Sequence, residues 1–176
     1  MKKQILAICG STRQSSTNHK LIQAITELTK QDFELRVFEN LAALPHFNPD
    51  EDNADVAPSV TAFRQQLQQA DGILICTPEY AHGVPGTLKN AIDWTVSSCE
   101  FSGKPTVLVT ASTDGKHAHQ ALLETLRVIE AGNIDELNLL IPFAQTKINR
   151  DGKIIDDATL LEVQQLMQRL KELLIQ

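Results

Sequence analysis

The feature that most constrains the fold is an alternation of short apolar runs with helical patterns along the whole chain. Five runs predict strands, and apolar side chains at helical spacing follow every one of them. The predicted strands are residues 5–9, 33–37, 73–76, 107–109 and 137–141. Most of these runs are apolar throughout, which is typical of parallel sheets with helices on both sides. The alternation therefore predicts an α/β fold.

The number of strands narrows this fold class to one arrangement. Five strands in a doubly wound sheet favour a flavodoxin-like three-layer sandwich, a parallel sheet of order 2-1-3-4-5 with helices on both faces. Ligands bind such sheets at the carboxyl ends of the strands, where the strand order reverses. The loops after the first and third strands are therefore the candidate functional site. No linker or repeat divides residues 1–176, which we expect to form a single domain.

Five helices are predicted from apolar spacing and from Pro and Gly signals. The third helix is expected to begin just after Pro85, and the fourth to end near Gly132. The last helix is expected over residues 157–174. Residues 40–57 are predicted to form a long loop, with the acidic side chains at 50–55 solvated in it.

Charge and composition exclude several classes of protein. The chain has 16 Lys and Arg against 22 Asp and Glu, which gives a net charge of −6. An acidic surface repels nucleic acid, and six Phe, one Tyr and one Trp are few for a protein that stacks bases. No apolar stretch approaches the roughly 18 residues of a membrane span, and the run at 5–9 is too short for a secretion signal. We therefore expect neither a nucleic-acid partner nor a membrane.

The three cysteines, Cys9, Cys76 and Cys99, lie far apart in the sequence. Their spacing matches neither a zinc site nor a disulfide framework. Free thiols are typical of a reducing compartment, so a cytoplasmic location is predicted. The side chains of His117 and His119 would point in different directions on a helix, and no metal site is expected there either.

A polar segment, Gly10 to Asn18, joins the first strand to the first helix. It carries five hydroxyl groups, the Asn18 amide and the Arg13 guanidinium, and it ends at a helix N-terminus. Backbone N–H groups at such an end favour an anion, and arginine pairs with phosphate. The segment therefore suits a terminal phosphate monoester. Helix capping by Ser16 or Thr17 is the alternative, and it accounts for one or two of the hydroxyls.

Two familiar phosphate-binding signatures are absent from this segment. It has neither the G-x-x-x-x-G-K-[ST] pattern of P-loop proteins nor the G-x-G-x-x-G pattern of dinucleotide sites, because Gly10 stands alone. Cys9 and Arg13 are separated by too few residues for a cysteine phosphatase. We therefore interpret Cys9 as a residue of the first strand.

The most distinctive segment follows the third strand, at residues 77–94. Two Gly and two Pro within nine residues predict an irregular backbone at a ligand-bearing strand end. Such a loop presents successive N–H groups to a polar ring. The only Tyr and the only Trp of the chain also lie here. We interpret Tyr80 as a cofactor or substrate contact, with an exposed loop aromatic as the alternative, and Trp94 as a packing residue.

Together the two segments resemble the NADPH-dependent FMN reductase family, which includes quinone, chromate and azo-dye reductases. The resemblance rests on Gly10–Arg13 with Ser16 and Asn18, and on Pro78–Tyr80 with Pro85–Trp94. It implies an FMN-binding domain of flavodoxin-like fold. The FMN contacts that it implies are Ser11, Arg13, Ser16, Thr17 and Asn18 for the phosphate, Pro78, Glu79, Tyr80 and Ala81 for the isoalloxazine, and Ser112 and Gly115 in a third loop.

The third loop, residues 111–117, departs from the family because it has fewer glycines. Lys116 has two alternative interpretations, a contact with a 2′-phosphate and a solvated helix start, of which the second is commoner.

By the same resemblance, the protein is expected to be an enzyme, an FMN-dependent NAD(P)H oxidoreductase. Two electrons would pass from NADPH or NADH through FMN to a quinone, free flavin or similar small acceptor. The cofactor carries this chemistry, so no side chain is named as catalytic. A flavodoxin-like electron carrier and a non-catalytic flavin sensor are the alternatives. The resemblance also implies a homodimer or homotetramer, with the helix from Pro85 to Ser97 at an interface.

Overall fold

Five parallel strands form a single sheet in the computed structural model, which describes residues 2–175. The strands are β1 (Lys3–Cys9), β2 (Phe33–Val37), β3 (Gly72–Thr77), β4 (Thr106–Ala111) and β5 (Asn138–Ile141). Their order is β2-β1-β3-β4-β5, and every neighbouring pair is parallel. The predicted strand order and the α/β class are therefore confirmed.

Six α-helices accompany the sheet in the described residues, one more than the sequence predicts. They are α1 (Thr17–Thr29), α2 (Pro58–Gln69), α3 (Gly86–Asp93), α4 (Lys116–Val128), α5 (Ala144–Lys147) and α6 (Asp157–Ile175). Helices α1 and α6 pack on one face of the sheet, while α2, α3 and α4 pack on the other. The extra helix, α5, is too short to give an amphipathic pattern. Between residues 2 and 175, no helix is long and apolar enough to cross a membrane.

Alternating side chains let β1 contribute to both layers of the core. Leu6 and Ile8 pack under α2, α3 and α4. Ile5, Ala7 and Cys9 pack under α1 and α6. None of the five side chains is more than 4% exposed. A shift of one residue would exchange the two faces, so burial on both sides fixes the register of the strand and the place where it ends.

Helix α4 ends at Val128, short of the expected position near Gly132. Glu130 has a φ of 58° and takes the left-handed conformation that glycine usually supplies at a helix end. Its N–H and that of the next residue donate to carbonyls of the last turn, as in a Schellman motif. Gly132 is required for close packing instead, since a Cβ there would lie 2.7 Å from the Gly103 carbonyl oxygen.

Residues 40–57 form the long loop that the sequence predicts, but one of its acidic residues is not solvated. The Asp52 carboxylate accepts a hydrogen bond from the Arg64 guanidinium at 2.7 Å, and these side chains are only 10% and 14% exposed. Hydrogen bonds from Ser97 and from Arg64 lower the pKa of Asp52. The expectation of a wholly solvated acidic loop is therefore wrong at Asp52. Two short 3₁₀ turns lie in this loop, at Leu41–Ala43 and Pro49–Glu51.

The tip of this long loop is fastened to α3 and the residue after it. The Pro45 carbonyl accepts hydrogen bonds from Asn90 Nδ2 at 2.9 Å and from Trp94 Nε1 at 2.8 Å. The Phe47 N–H donates to Asn90 Oδ1 at 2.7 Å. The Phe47 and Trp94 rings meet edge to face, with centroids 5.0 Å apart. Trp94 is fully buried, so its interpretation as a packing residue is confirmed.

Candidate active site

A cleft opens at the carboxyl ends of β1, β3 and β4, where the strand order predicts a ligand site. Its volume is about 190 Å³, below the roughly 300 Å³ of an enclosed small-molecule pocket, so it covers only part of a ligand. Nine of the eleven expected FMN contacts line it, all except Ala81 and Gly115. The lining residues are Ser11, Arg13, Ser16, Thr17, Asn18, Pro78, Glu79, Tyr80, Ala111, Ser112, Thr113, Ala144 and Gln145.

The loops after β1 and β3 touch each other where the two strands end. The Gly10 N–H donates to the Cys76 carbonyl at 2.8 Å. A Cβ at Gly10 would lie 2.3 Å from Thr77 Oγ1, so glycine is required for this close approach. The two sides of the cleft therefore support each other without a ligand.

Ser16 combines helix capping with a place in the cleft. Its Oγ accepts a hydrogen bond from the His19 N–H at 3.2 Å and so caps α1. Capping engages this hydroxyl as an acceptor and leaves its proton free to be donated. Arg13 is exposed at the cleft and forms no ion pair within residues 2–175. Its charge is therefore available to an anion.

Asn18 supplies an acceptor that has no donor. Its Nδ2 donates to the Ala111 carbonyl at 3.0 Å, which fixes the orientation of the amide. Its Oδ1 is buried and finds no hydrogen-bond partner in the described part of the chain. A buried acceptor left in this state costs about 1–3 kcal/mol. A ligand that carries a hydroxyl group would satisfy it.

A tight turn at residues 80–83 follows β3. The backbone N–H and carbonyl of Tyr80 pair with those of Gly83 at 3.1 and 2.9 Å. Between them, Ala81 and His82 have φ values of 47° and 57°, which non-glycine residues rarely adopt. Such strain persists only where the surrounding structure maintains it, and it is concentrated at functional sites. The Tyr80 side chain is 54% exposed, and its hydroxyl lies 3.3 Å from Ser11 Oγ.

The Glu79 side chain connects the 80–83 turn to the start of α4. Its Oε2 accepts a hydrogen bond from the Ala118 N–H at 2.8 Å. Its own N–H donates to Ser112 Oγ at 3.3 Å. Gly115, immediately before α4, provides no side-chain cap for the helix. Glu79 therefore caps α4 from another loop, and it is also one of the residues that line the cleft.

Ala81 and Gly115, the two expected contacts outside the cleft lining, shape the loops around it. Ala81 lies in the strained 80–83 turn. Gly115 has a φ of 87°, and a Cβ there would lie 2.9 Å from Leu140 Cδ1. Both residues thus act on the backbone that borders the cleft.

The side chains of His117 and His119 diverge, as the sequence predicts. His117 stacks on His82, with ring centroids 4.4 Å apart. His119 is 8% exposed and lies 2.9 Å from Thr110 Oγ1 and 3.2 Å from Asn138 Oδ1. Burial lowers the pKa of His119. Across residues 2–175, no group of three or more His, Cys, Asp or Glu side chains could hold a metal ion.

Four lining residues are not among the expected FMN contacts, although Ala111 and Thr113 lie in the third loop that the sequence indicates. Ala111, the last residue of β4, and Thr113 flank Ser112, so three consecutive residues at the end of this strand line the cleft. Ala144 and Gln145 belong to the start of α5. They follow β5, whose carboxyl end lies at the same edge of the sheet. The rule that ligands bind at the carboxyl ends of parallel strands would find them once it is applied to every strand.

The two cysteines near the cleft are not built as nucleophiles. Cys9 and Cys76 are paired neighbours on β1 and β3, and both are buried. Burial raises the pKa of each thiol. A thiol that stays protonated is a poor nucleophile. The interpretation of Cys9 as a strand residue is therefore confirmed.

Known proteins with similar sequences connect this geometry to a family. The family model described as NADPH-dependent FMN reductase matches residues 3–146. The chain belongs to the NADPH-dependent FMN reductase family. It is 31% identical over 173 residues to an NAD(P)H-dependent FMN reductase of Pseudomonas aeruginosa, with 96% of this chain and 93% of that protein covered. It is 30% identical over 166 residues to a quinone reductase of Escherichia coli K12, with 90% and 88% covered.

A solved structure extends this similarity to the fold. The flavoenzyme NAD(P)H:(acceptor) oxidoreductase FerB from Paracoccus denitrificans superposes with a TM-score of 0.77 at 24% identity. The match covers 98% of this chain and 97% of that one. The fold is thus that of the flavodoxin-like FMN reductases. With its family membership, the chain is an FMN-dependent NAD(P)H oxidoreductase, as the sequence resemblance implies.

Proposed function

We propose that residues 1–176 form one FMN-binding domain, with the FMN phosphate at the loop after β1 and the ring beside the 80–83 turn. One observation carries this proposal: the Arg13 cation and the Asn18 Oδ1, both without a partner among residues 2–175, line the same cleft. A phosphate would pair with the first, and a ribityl hydroxyl would donate to the second. A simple inorganic anion offers no such hydroxyl chain.

The phosphate is held by side chains and by the start of α1. The hydroxyls of Ser11 and Ser16 donate to its oxygens, and the Arg13 guanidinium balances its charge. The helix begins at Thr17, and the Ser16 cap already engages the His19 N–H, so the N–H groups of Thr17 and Asn18 are the ones that attract an anion. Ser16 needs no rearrangement for this, because its hydrogen bond with the His19 N–H already fixes it.

The ring is held mainly by the backbone. Pro78, Glu79 and Tyr80 lie on one side of the cleft, and Ser112 lies in the loop after β4. The hydrogen bond from the Glu79 N–H to Ser112 Oγ ties these two loops together. Ala81 and Gly115 contribute by setting the path of the backbone. A preformed arrangement of this kind loses little conformational entropy when the ligand binds.

When bound, FMN supplies the transfer of two electrons from NADPH or NADH to an acceptor, while the protein positions and surrounds it. The cleft covers a ligand only in part. The uncovered face leaves room for the nicotinamide ring and the acceptor to approach in turn. The names of the relatives favour a quinone or a free flavin as acceptor. The side chains described above are not required to donate or remove a proton.

Titration of the purified protein with FMN tests this function. We expect quenching of flavin fluorescence at a fixed stoichiometry, then loss of visible flavin absorption when NADPH is added without oxygen. A quinone should restore the absorption. A folded protein with no affinity for FMN would contradict the proposal. Binding of FMN without direct reduction by NADPH or NADH in a stopped-flow experiment would favour the electron carrier or the sensor.

The partly covered cleft also supports a homodimer or homotetramer. A second copy of the chain would close the uncovered part of the ligand, and Val96, just beyond α3, is 51% exposed and offers an apolar contact. The segment from Pro85 to Ser97 is the proposed interface, and the cytoplasm is the proposed location because the thiols are unpaired. Light scattering at micromolar concentration should give a multiple of 19.5 kDa. A monomeric mass would contradict this assembly.

A further inference from the structure

Glu79 is placed where one side chain affects both the shape and the charge of the cleft. It lines the cleft, and its main-chain N–H donates to Ser112 Oγ. Its carboxylate reaches the Ala118 N–H, 2.8 Å away in the first turn of α4. One residue therefore joins the loop after β3, the loop after β4 and the helix that follows.

The 80–83 turn depends on contacts of this kind. Ala81 and His82 are both in the left-handed region, where residues with a Cβ are strained. The turn follows Glu79 directly, so the anchored carboxylate fixes its first side. The His82 ring stacks on His117, which fixes its second side against the same helix turn. The bond from Glu79 to Ala118 and the stacked rings thus both join this part of the chain to the first turn of α4.

The Glu79 carboxylate supplies negative charge at the start of α4. The first turn of α4 contains no acidic residue, and the residue before the helix gives no side-chain cap. The N–H groups at the helix start carry a partial positive charge, which the Glu79 carboxylate compensates. The charged neighbours Lys116 and Asp114 pair with each other at 3.5 Å and are both exposed. Because Glu79 is one of the residues that line the cleft, its carboxylate places negative charge beside the cleft, partly offset by the helix start.

We propose that Glu79 is a positioning residue for the flavin: it locks the 80–83 turn to α4, and its charge makes the bound flavin harder to reduce. The inference rests on the proposed function, because its second half needs FMN in the cleft. Reduction adds electrons to the ligand, and a fixed carboxylate on the wall disfavours negative charge there. Glu79 thereby keeps the reduced cofactor strongly reducing and favours delivery of electrons to the acceptor.

Three variants separate the geometry from the charge. Glu79→Gln keeps an oxygen that accepts from the Ala118 N–H but removes the negative charge. Glu79→Ala removes both. Glu162→Gln makes the same change in net charge at an exposed position of α6 and serves as the control.

The FMN dissociation constant and the midpoint potential report on the two halves of the proposal. We expect Glu79→Ala to raise the dissociation constant about 10-fold, and Glu79→Gln to bind FMN no more weakly than the wild type. Equilibration with a reference dye should give a higher potential in both Glu79 variants and an unchanged one in Glu162→Gln. An unchanged dissociation constant in Glu79→Ala overturns the anchoring, and an unchanged potential in Glu79→Gln overturns the effect of charge.

Hydrogen exchange of the Ala118 amide tests the anchor in the protein without FMN. We expect faster exchange in Glu79→Ala than in the wild type, and wild-type protection in Glu79→Gln. Equal exchange in all variants would overturn the anchor. Faster exchange in Glu79→Ala from a protein that binds no FMN would support the anchor, and would overturn the proposed function and the effect of charge with it.

Discussion

The loops after β1 and β3 meet in one cleft but are built in opposite ways. The first offers side chains, among them the unpaired Arg13 and the buried Asn18 amide. The second offers backbone, held in a strained turn that Glu79 ties to α4. Recognition of a charge can therefore be lost by changing one side chain, whereas recognition of a ring is lost only when the backbone itself moves. Three substitutions test this contrast, and a fourth tests α4, the helix to which Glu79 ties the second loop.

Arg13→Ala should have the largest effect, because it removes the only cation among the lining residues of the first loop. A hydrogen bond to a charged group is worth about 1.5–3 kcal/mol, so we expect the FMN dissociation constant to rise roughly 10- to 100-fold. Fluorescence titration measures it. Arg169→Ala, at an exposed position of α6, is the matched control. An unchanged dissociation constant would place the phosphate elsewhere.

Gly10→Ala should break the contact between the two loops. The new Cβ would lie 2.3 Å from Thr77 Oγ1 and 2.8 Å from Thr77 Cβ. Overpacking of this kind costs about 1–3 kcal/mol of unfolding free energy, measured by urea denaturation. The control is Gly86→Ala, where a Cβ would meet nothing within 4 Å. Equal stability of the two variants would mean that the loops do not depend on their close approach.

His119, on α4, should make the unfolding free energy of the protein sensitive to acid. Burial lowers the pKa of His119, so the folded state favours the neutral imidazole. Its contribution is fully present above the unfolded pKa of about 6.5 and is lost as the pH falls through the lower folded-state pKa. We expect His119→Gln to flatten the decline of unfolding free energy in this acidic window. A parallel decline in both proteins would assign the acid sensitivity to other groups.

Tyr80→Phe should have the smallest effect of the four. It removes a hydroxyl that lies 3.3 Å from Ser11 Oγ on an exposed side chain, and it leaves the backbone of the 80–83 turn intact. A neutral hydrogen bond of this quality contributes about 0.5 kcal/mol, so the FMN dissociation constant should change less than about 3-fold. A loss as large as that of Arg13→Ala would remove the contrast between the two loops.

The parts of the fold that depend on local pattern could be predicted from the sequence. The five apolar runs give the strands and, with the rules for doubly wound sheets, their order. The end of α4 could not be predicted, because Glu130 takes the left-handed position where glycine is expected. Gly132 is the glycine that predicts the end of this helix, but its role is close packing against the backbone at Gly103. Helix α5 has too few residues to show a period.

The candidate site divides in the same way. The polar segment from Gly10 to Asn18 is recognisable in the sequence from its hydroxyl, amide and guanidinium groups. Every expected contact residue of that loop lines the cleft. The link from Glu79 to Ala118 joins residues that are 39 positions apart. It depends on how two loops meet in space, and no short pattern encodes that. The same holds for Asp52, whose half-buried partner Arg64 lies on α2.

The two hydrogen bonds at the Pro45 carbonyl hold the loop at residues 40–57 in place against α3 and Trp94. Asp52 ties the loop down a second time. Residues 53–55 lie beyond these ties and are exposed. Exposed loop segments of this kind are where proteases cut first and where inserted segments are tolerated. A label or a short peptide inserted at 53–55 would therefore leave both the anchored tip and the cleft undisturbed.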